Sequence, residues 1–162
     1  MENEIDHRSV ITDIRKIVRS INLESKRILK DFGISIPQLL CLTFLSKKEQ
    51  FQASHKELTE HLNLNSSTVT GIVNRLEKKG LIARLPKRDD KRVTYMVLTS
   101  SGYELLESTP DLLQDKLVAN LRTLEPSQLR EIKAALEILV NVLGIKGLDA
   151  APLLIVDDPD VT

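Results

Sequence analysis

The sequence predicts a mainly α-helical chain with one small β-hairpin near its middle. Three observations point there. Apolar residues recur at three- and four-residue steps over long stretches at both ends of the 162 residues. Ser-x-x-Gln and Ser-x-x-Glu pairs and well-placed glycines punctuate these runs as helix starts and stops. Two segments rich in β-branched and apolar residues flank the charged run Lys87-Arg88-Asp89-Asp90-Lys91-Arg92.

Val10, Ile14, Ile17, Val18, Ile21, Ile28, Leu29 and Phe32 form one stripe, interrupted by Ser25, so a long amphipathic helix is expected over 10–32. Gly33 stops it. Ser35-Ile36-Pro37-Gln38 has the form of a capping box with proline in the first turn, and opens a second helix reaching Ser46. Phe51 sits in a short extended piece that can add a third strand to the hairpin. Ser54-His55-Lys56-Glu57 repeats the capping box before a short helix carrying Leu58 and Leu62.

After Asn63-Leu64-Asn65 a further helix is expected from Ser66 to Lys79, with Val69, Ile72, Val73 and Leu76 facing inward and Gly80 closing it. Two short helices joined so tightly form a helix-turn-helix candidate. Leu81–Pro86 and Val93–Thr99 then form the hairpin, or wing.

Helical spacing returns through Leu105, Leu106, Leu112, Leu113, Leu117, Val118 and Leu121, with Pro110 at a kink or turn. Pro126 opens a last helix carrying Leu129, Ile132, Leu136, Leu139, Val140 and Leu143, ended by Gly144. The tail has four aspartates, two prolines and no cation after Lys146, and does not read as helix. Its Pro152-Leu-Leu-Ile-Val segment reads as an arm that packs on a partner subunit or near a pocket, the other reading being a disordered acidic end.

The chain carries 23 Lys and Arg against 23 Asp and Glu, but the balance is uneven along it. Residues 75–100 hold eight cations and three anions, while residues 101–162 hold five cations and eleven anions. The positive field is a patch, as expected if one surface meets phosphate and the rest must not.

The helix from Ser66 has the chemistry to enter a major groove. Ser66, Ser67, Thr68 and Thr70 are small hydroxyl residues that can reach phosphate oxygens or base edges, and the helix N-terminus itself favours an anion. At least one of Ser66, Ser67 and Thr68 is expected to cap the helix, leaving two for DNA. Asn74 and Arg75 follow on or near the same face, with groups suited to adenine and guanine edges. Lys78 adds a cation at the end, and Arg75 could alternatively pair with Glu77, Asp31 or another carboxylate inside the subunit. In the wing, Arg92 or Lys91 suits a narrow minor groove, Asp90 would restrain Arg92, and Lys87, Arg88 and Lys91 suit backbone contacts. Asp89 is left without a role.

The order of elements resembles the MarR family of bacterial transcriptional regulators over residues 8–143. The most specific feature is the wing signature Asp-x-Arg-x5-Leu-Thr-x-x-Gly, met by Asp90, Arg92, Leu98, Thr99 and Gly102. Ser66–Arg84 is similar to the family's recognition helix running into its first wing strand. Gly71 departs from the pattern, standing where a larger or basic residue is common, as does Val93 where a small polar residue is usual.

The resemblance implies a winged helix-turn-helix core flanked by N- and C-terminal dimerisation helices. The division expected is a dimerisation helix at 1–33, the winged DNA-binding region at 34–102, dimerisation helices at 103–146 and the tail at 147–162. The implied partners are double-stranded DNA carrying a palindromic operator, a second copy of the chain, and a small-molecule effector or other signal. The implied role is a transcriptional regulator acting as a repressor. A winged-helix protein-interaction module without specific DNA binding is the alternative.

An enzyme is not expected, for want of a Gly-rich phosphate loop, a ligand-spaced Cys/His cluster, or a Ser or Cys beside a plausible base. No cofactor or metal is implied. His7, His55 and His61 read as surface residues, the latter two being six residues apart and so on different faces of a helix. Cys41, the sole cysteine, lies in an apolar run without a nearby cation and reads as core rather than as an oxidant sensor. With no apolar run of membrane-spanning length and no signal-peptide pattern, a soluble, cytoplasmic protein is expected.

Overall fold

The computed structural model describes residues 6–86 and 94–148. Seven α-helices and three strands occur among them, in the order α1 (His7–Phe32), α2 (Ile36–Ser46), β1 (Gln52–Ser54), α3 (His55–Leu62), α4 (Ser66–Lys78), β2 (Ile82–Pro86), β3 (Thr94–Leu98), α5 (Ser100–Ser108), α6 (Leu113–Leu121) and α7 (Pro126–Val142). Contacts divide the chain into two compact units, one reaching Pro110 and the other starting at Asp111.

In the first unit the punctuation read from the sequence sets the helix ends. Gly33 terminates α1 at φ 68°, a left-handed conformation that costs glycine nothing. The backbone N–H of Ser35 donates to Gln38 Oε1 at 3.2 Å, so the almost fully buried Gln38 side chain is satisfied by the turn it closes. Ser54 and Glu57 form the second capping box, with the Ser54 N–H donating to Glu57 Oε2 at 2.8 Å. Gly80, at φ 71°, ends α4, and the Leu81 N–H returns to the Leu76 carbonyl at 3.0 Å.

The sheet is antiparallel with strand order β1-β3-β2, pairing Ala53 with Met96 and Arg84 with Met96 from opposite sides. The third strand thus forms, but it starts one residue after Phe51. That residue lies in a 3-10 turn over Glu49–Phe51, at φ 54°, and a left-handed residue cannot continue an extended run. Its ring meets Tyr103 edge-on, with centroids 6.2 Å apart.

One core joins the helices and the sheet: Leu39, Leu42 and Leu45 of α2, Leu58 and Leu62 of α3, Val69, Ile72, Val73 and Leu76 of α4, and Ile82, Met96 and Leu98 of the strands. All four inward residues expected for α4 are at most 1% exposed. Cys41 is fully buried among them, and burial pushes its thiol up to about 12. By contrast, Ile28 is the one buried residue of the 26 in α1.

The end of the wing strand and the start of α5 are clamped to the end of α4. Thr99 Oγ1 donates to the Gly80 carbonyl at 2.7 Å and accepts from the Gly102 N–H at 3.1 Å, while the Thr99 N–H reaches the Leu81 carbonyl at 3.2 Å. A Cβ at Gly102 would stand 2.2 Å from the Leu81 carbonyl oxygen and 2.7 Å from Leu98 Cδ1. The Leu98-Thr99-x-x-Gly102 half of the wing signature is therefore a packing device. Helical spacing breaks after α5, and Pro110 lies between it and α6.

In the second unit, Glu125 and Gln128 form a capping box at the start of α7, and Pro126 occupies its first turn. Neither α6 nor α7 has a buried residue. Among the described residues, no single helix is long and apolar enough to cross a membrane.

Acid is expected to weaken the first unit in two steps. His61 stacks on Phe44 with centroids 4.0 Å apart; burial, then Lys47 and Lys48, lower its pKa. Its contribution is complete above the ordinary imidazole value and is lost as pH falls through the lowered one. Glu57 is held below the usual carboxylate range by the Ser54 N–H, then the Ser54 hydroxyl and Lys48, so its contribution is lost at still lower pH. Thermal unfolding followed from pH 7.5 to 3.5 should show a steadily falling midpoint, with His61→Gln removing the earlier step.

Candidate nucleic-acid interface

Burying Val69, Ile72, Val73 and Leu76 fixes the rotation of α4 and turns the opposite stripe, Ser67, Gly71, Asn74 and Lys78, outward, with Thr70 and Arg75 on its two flanks. Ser66, Ser67, Thr70, Asn74 and Lys78 are exposed, and Thr68 and Arg75 are half-buried. The face is polar, cationic at its C-terminal end and free of large apolar side chains.

The cap at the start of α4 differs from expectation. None of Ser66, Ser67 or Thr68 caps the helix; Asn65 does, its extended backbone presenting Oδ1 to the Thr68 N–H at 2.8 Å and to the Ser67 hydroxyl at 2.6 Å. Asn65 is an Asx residue directly before the first helical turn, a signal that was legible but lost beside three hydroxyl residues.

Thr70 donates its hydroxyl proton to the Ser66 carbonyl at 2.9 Å. Its oxygen also lies 3.0 Å from His55 Nε2, within hydrogen-bond distance. His55 is therefore more than a surface histidine: it ties the first turn of α3 to the outward flank of α4. Only the packing of the two helices brings these residues together, fifteen positions apart.

Arg75 folds back along its own helix. Its Nη1 lies 3.4 Å from where a Cβ at Gly71 would stand, so the missing side chain at 71 makes room for this guanidinium. Glu77 pairs with Arg84 at 3.5 Å, and Asp31 with Arg27 at 3.6 Å. Arg84, which was not among the expected site residues, also donates from Nη2 to Asn74 Oδ1. Strand alternation could have found it, since residue 84 shares a sheet face with the core residue Ile82.

Strands β2 and β3 lead directly into and out of the charged segment. Lys87, Arg88, Asp89, Asp90, Lys91, Arg92 and Val93 lie outside the described residues, as does the tail from 149 to 162. The structure thus brings the α4 residues and Arg84 onto one side of the first unit, at the base of the wing.

Comparison with known proteins agrees with this architecture. The MarR family model matches residues 34–94. The organic hydroperoxide resistance transcriptional regulator of Bacillus subtilis (strain 168) is 29% identical over 151 residues, covering 91% of this chain and all of that protein. The uncharacterized HTH-type transcriptional regulator YdgJ of the same strain is 30% identical over 112 residues, 67% of each chain. The crystal structure of Sco3205, a MarR family transcriptional regulator from Streptomyces coelicolor in complex with DNA, aligns over 94% of both chains with a TM-score of 0.62 and 21% identity. The matched segment holds α2, the helix-turn-helix and β2 and stops at Thr94, the first residue of β3, and together with the relatives it shows that the chain belongs to the MarR family of winged-helix transcriptional regulators.

Proposed function

We propose that the chain acts as a homodimer that binds a palindromic DNA operator and represses transcription until a small ligand or other signal releases it. The observation that carries the DNA contact is the outward stripe of α4. It presents hydroxyl, amide and ammonium groups with no apolar obstruction, on a helix whose other face is locked into the core. In this reading Ser66, Ser67, Thr68, Thr70, Asn74, Arg75 and Lys78 meet the major groove. Lys87, Arg88, Lys91 and Arg92 meet the backbone and minor groove, with Asp90 restraining Arg92.

The dimer is supported by the apolar faces outside the core. On α7, Leu136 is 52%, Ile138 63% and Val142 77% exposed, and α1 leaves Ile17 and Val18 uncovered. A helix of 17 residues with none buried gains too little from its own backbone to stand alone in water, and a second copy of the chain offers a matching surface. Dimerisation through 1–33 and 103–146 would set two α4 helices about one DNA turn apart, roughly 34 Å.

The signal is expected to be something other than oxidation of Cys41. Its thiol is fully buried and pushed up to about 12, so the reactive thiolate is scarce at neutral pH. Thiol reagents should leave Cys41 unmodified in the native chain and modify it only after denaturant is added. Peroxide treatment should not release DNA through this residue; a release that Cys41→Ala abolishes would contradict this.

Sedimentation of the chain alone and with a bound duplex tests the whole reading. Two chains per duplex are expected, with Arg92→Ala weakening binding and flattening its salt dependence. A monomer on DNA, or an unchanged salt slope, would contradict it.

A further inference from the structure

Asn74 does not set its own orientation. Arg84 reaches from β2 to α4, donating from Nη2 to Asn74 Oδ1, while its Nε lies 3.5 Å from Glu77 Oε2. An arginine has donors and no acceptor, so the Asn74 atom that meets it must be the oxygen, and the amide NH2 must lie on the side away from Arg84. Glu77, one helical turn further along α4, holds the guanidinium against the helix.

An unrestrained asparagine reads adenine with both ends of its amide, accepting from the N6 amino group and donating to N7. Asn74 has its acceptor end engaged by a cation. Adenine would have to bring its amino group to an oxygen already bonded to Arg84. Guanine presents only acceptors there, O6 and N7, and both suit an amide that offers its donor end.

We infer that Arg84 is a specificity-determining residue: by occupying one lone pair of Asn74 Oδ1 and fixing the amide's orientation, it makes Asn74 read mainly through its donor end and favour guanine over adenine at the base pair Asn74 faces. This rests on the DNA-binding reading above. Arg84 acts through Asn74 and need not touch the base itself. The cluster lies wholly within the first unit, at the point where the first wing strand leaves α4.

The test uses the full chain and a duplex selected by it from a random library. The base pair facing Asn74 is the one whose preference disappears in Asn74→Ala. At that pair the wild-type chain should bind guanine about tenfold tighter than adenine, within the range one base contact can discriminate. Arg84→Met should remove that preference or turn it toward adenine. Arg84→Lys, drawn to Glu77 and unable to span both partners, should do the same while keeping the charge, and it decides the matter if the methionine variant does not fold.

Adenine preferred by the wild-type chain at that pair, or guanine preference retained in either folded Arg84 variant, would overturn the inference. So would uniformly weaker binding of all sequences without a change in preference, which would mean that Arg84 leaves Asn74 for a phosphate. An Asn74→Ala variant with the wild-type profile would overturn it while leaving the DNA reading intact. A wild-type chain that selects no sequence would remove the DNA reading itself.

Discussion

Replacing Gly102 by alanine is expected to destabilise the first unit by about 3 kcal/mol, the upper end of what one added methyl in a tight site costs. The new Cβ would stand 2.2 Å from the Leu81 carbonyl oxygen and 2.7 Å from Leu98 Cδ1, and the first of these is backbone that cannot swing aside. Relief requires moving the start of α5 away from β2. That would stretch the Thr99 bonds to Gly80, Leu81 and Gly102, which seat the second wing strand on the end of α4. Calorimetry or thermal circular dichroism should show a midpoint lowered by roughly 10 °C or more. Gly71→Ala is the control. Its Cβ meets only the guanidinium of Arg75, at 3.4 Å, an ordinary contact distance, and alanine favours the helix by up to about 1 kcal/mol, so stability should hold or rise.

Placing a carboxylate at position 67 should weaken DNA binding strongly without harming the fold. Ser67 is exposed near the start of α4, where a negative side chain interacts favourably with the helix dipole, worth about 0.3–1 kcal/mol. The Ser67 hydroxyl bonds Asn65 Oδ1 at 2.6 Å, but the cap itself is the bond from the Thr68 N–H, which remains. On the DNA side the same charge would face phosphates in a groove where Ser66, Thr70 and Asn74 lie beside it. Ser67→Glu is therefore expected to unfold at or slightly above the wild-type temperature while losing affinity on the order of 100-fold at low salt. Fluorescence anisotropy and a melting curve on the same preparation read both. Unchanged affinity would move the DNA contact away from α4.

The two substitutions separate what the second half of the wing signature and the outward face of α4 contribute. Leu98, Thr99 and Gly102 build the joint between wing, α4 and α5, whereas Asp90 and Arg92 belong to the charged segment outside the described residues. A motif read as one unit in the sequence thus holds two kinds of residue.

The helix ends were the most legible part of the fold, because each is written in a few adjacent residues: Gly33, the Ser35 and Ser54 boxes, Gly80 and Gly144. The inward face of α4 was legible for a related reason, since its period of three and four is local. Less legible were features that depend on tertiary placement. Phe51 takes a left-handed backbone that its β-friendly side chain did not announce. Asn65 caps α4 although three better-noticed hydroxyl residues follow it. His55 and Arg84 reach Thr70 and Asn74 across helix and strand packing, at separations of fifteen and ten residues, where no spacing rule applies. For the same reason the orientation of the Asn74 amide was invisible in the sequence.

Selection of bound duplexes from a random library by the purified chain, at near-physiological salt, tests the central claim most directly. An inverted repeat should emerge, with half-site centres about one turn of DNA apart. Enrichment of no sequence, or of an asymmetric site without a second half, would contradict a dimer that reads DNA with α4.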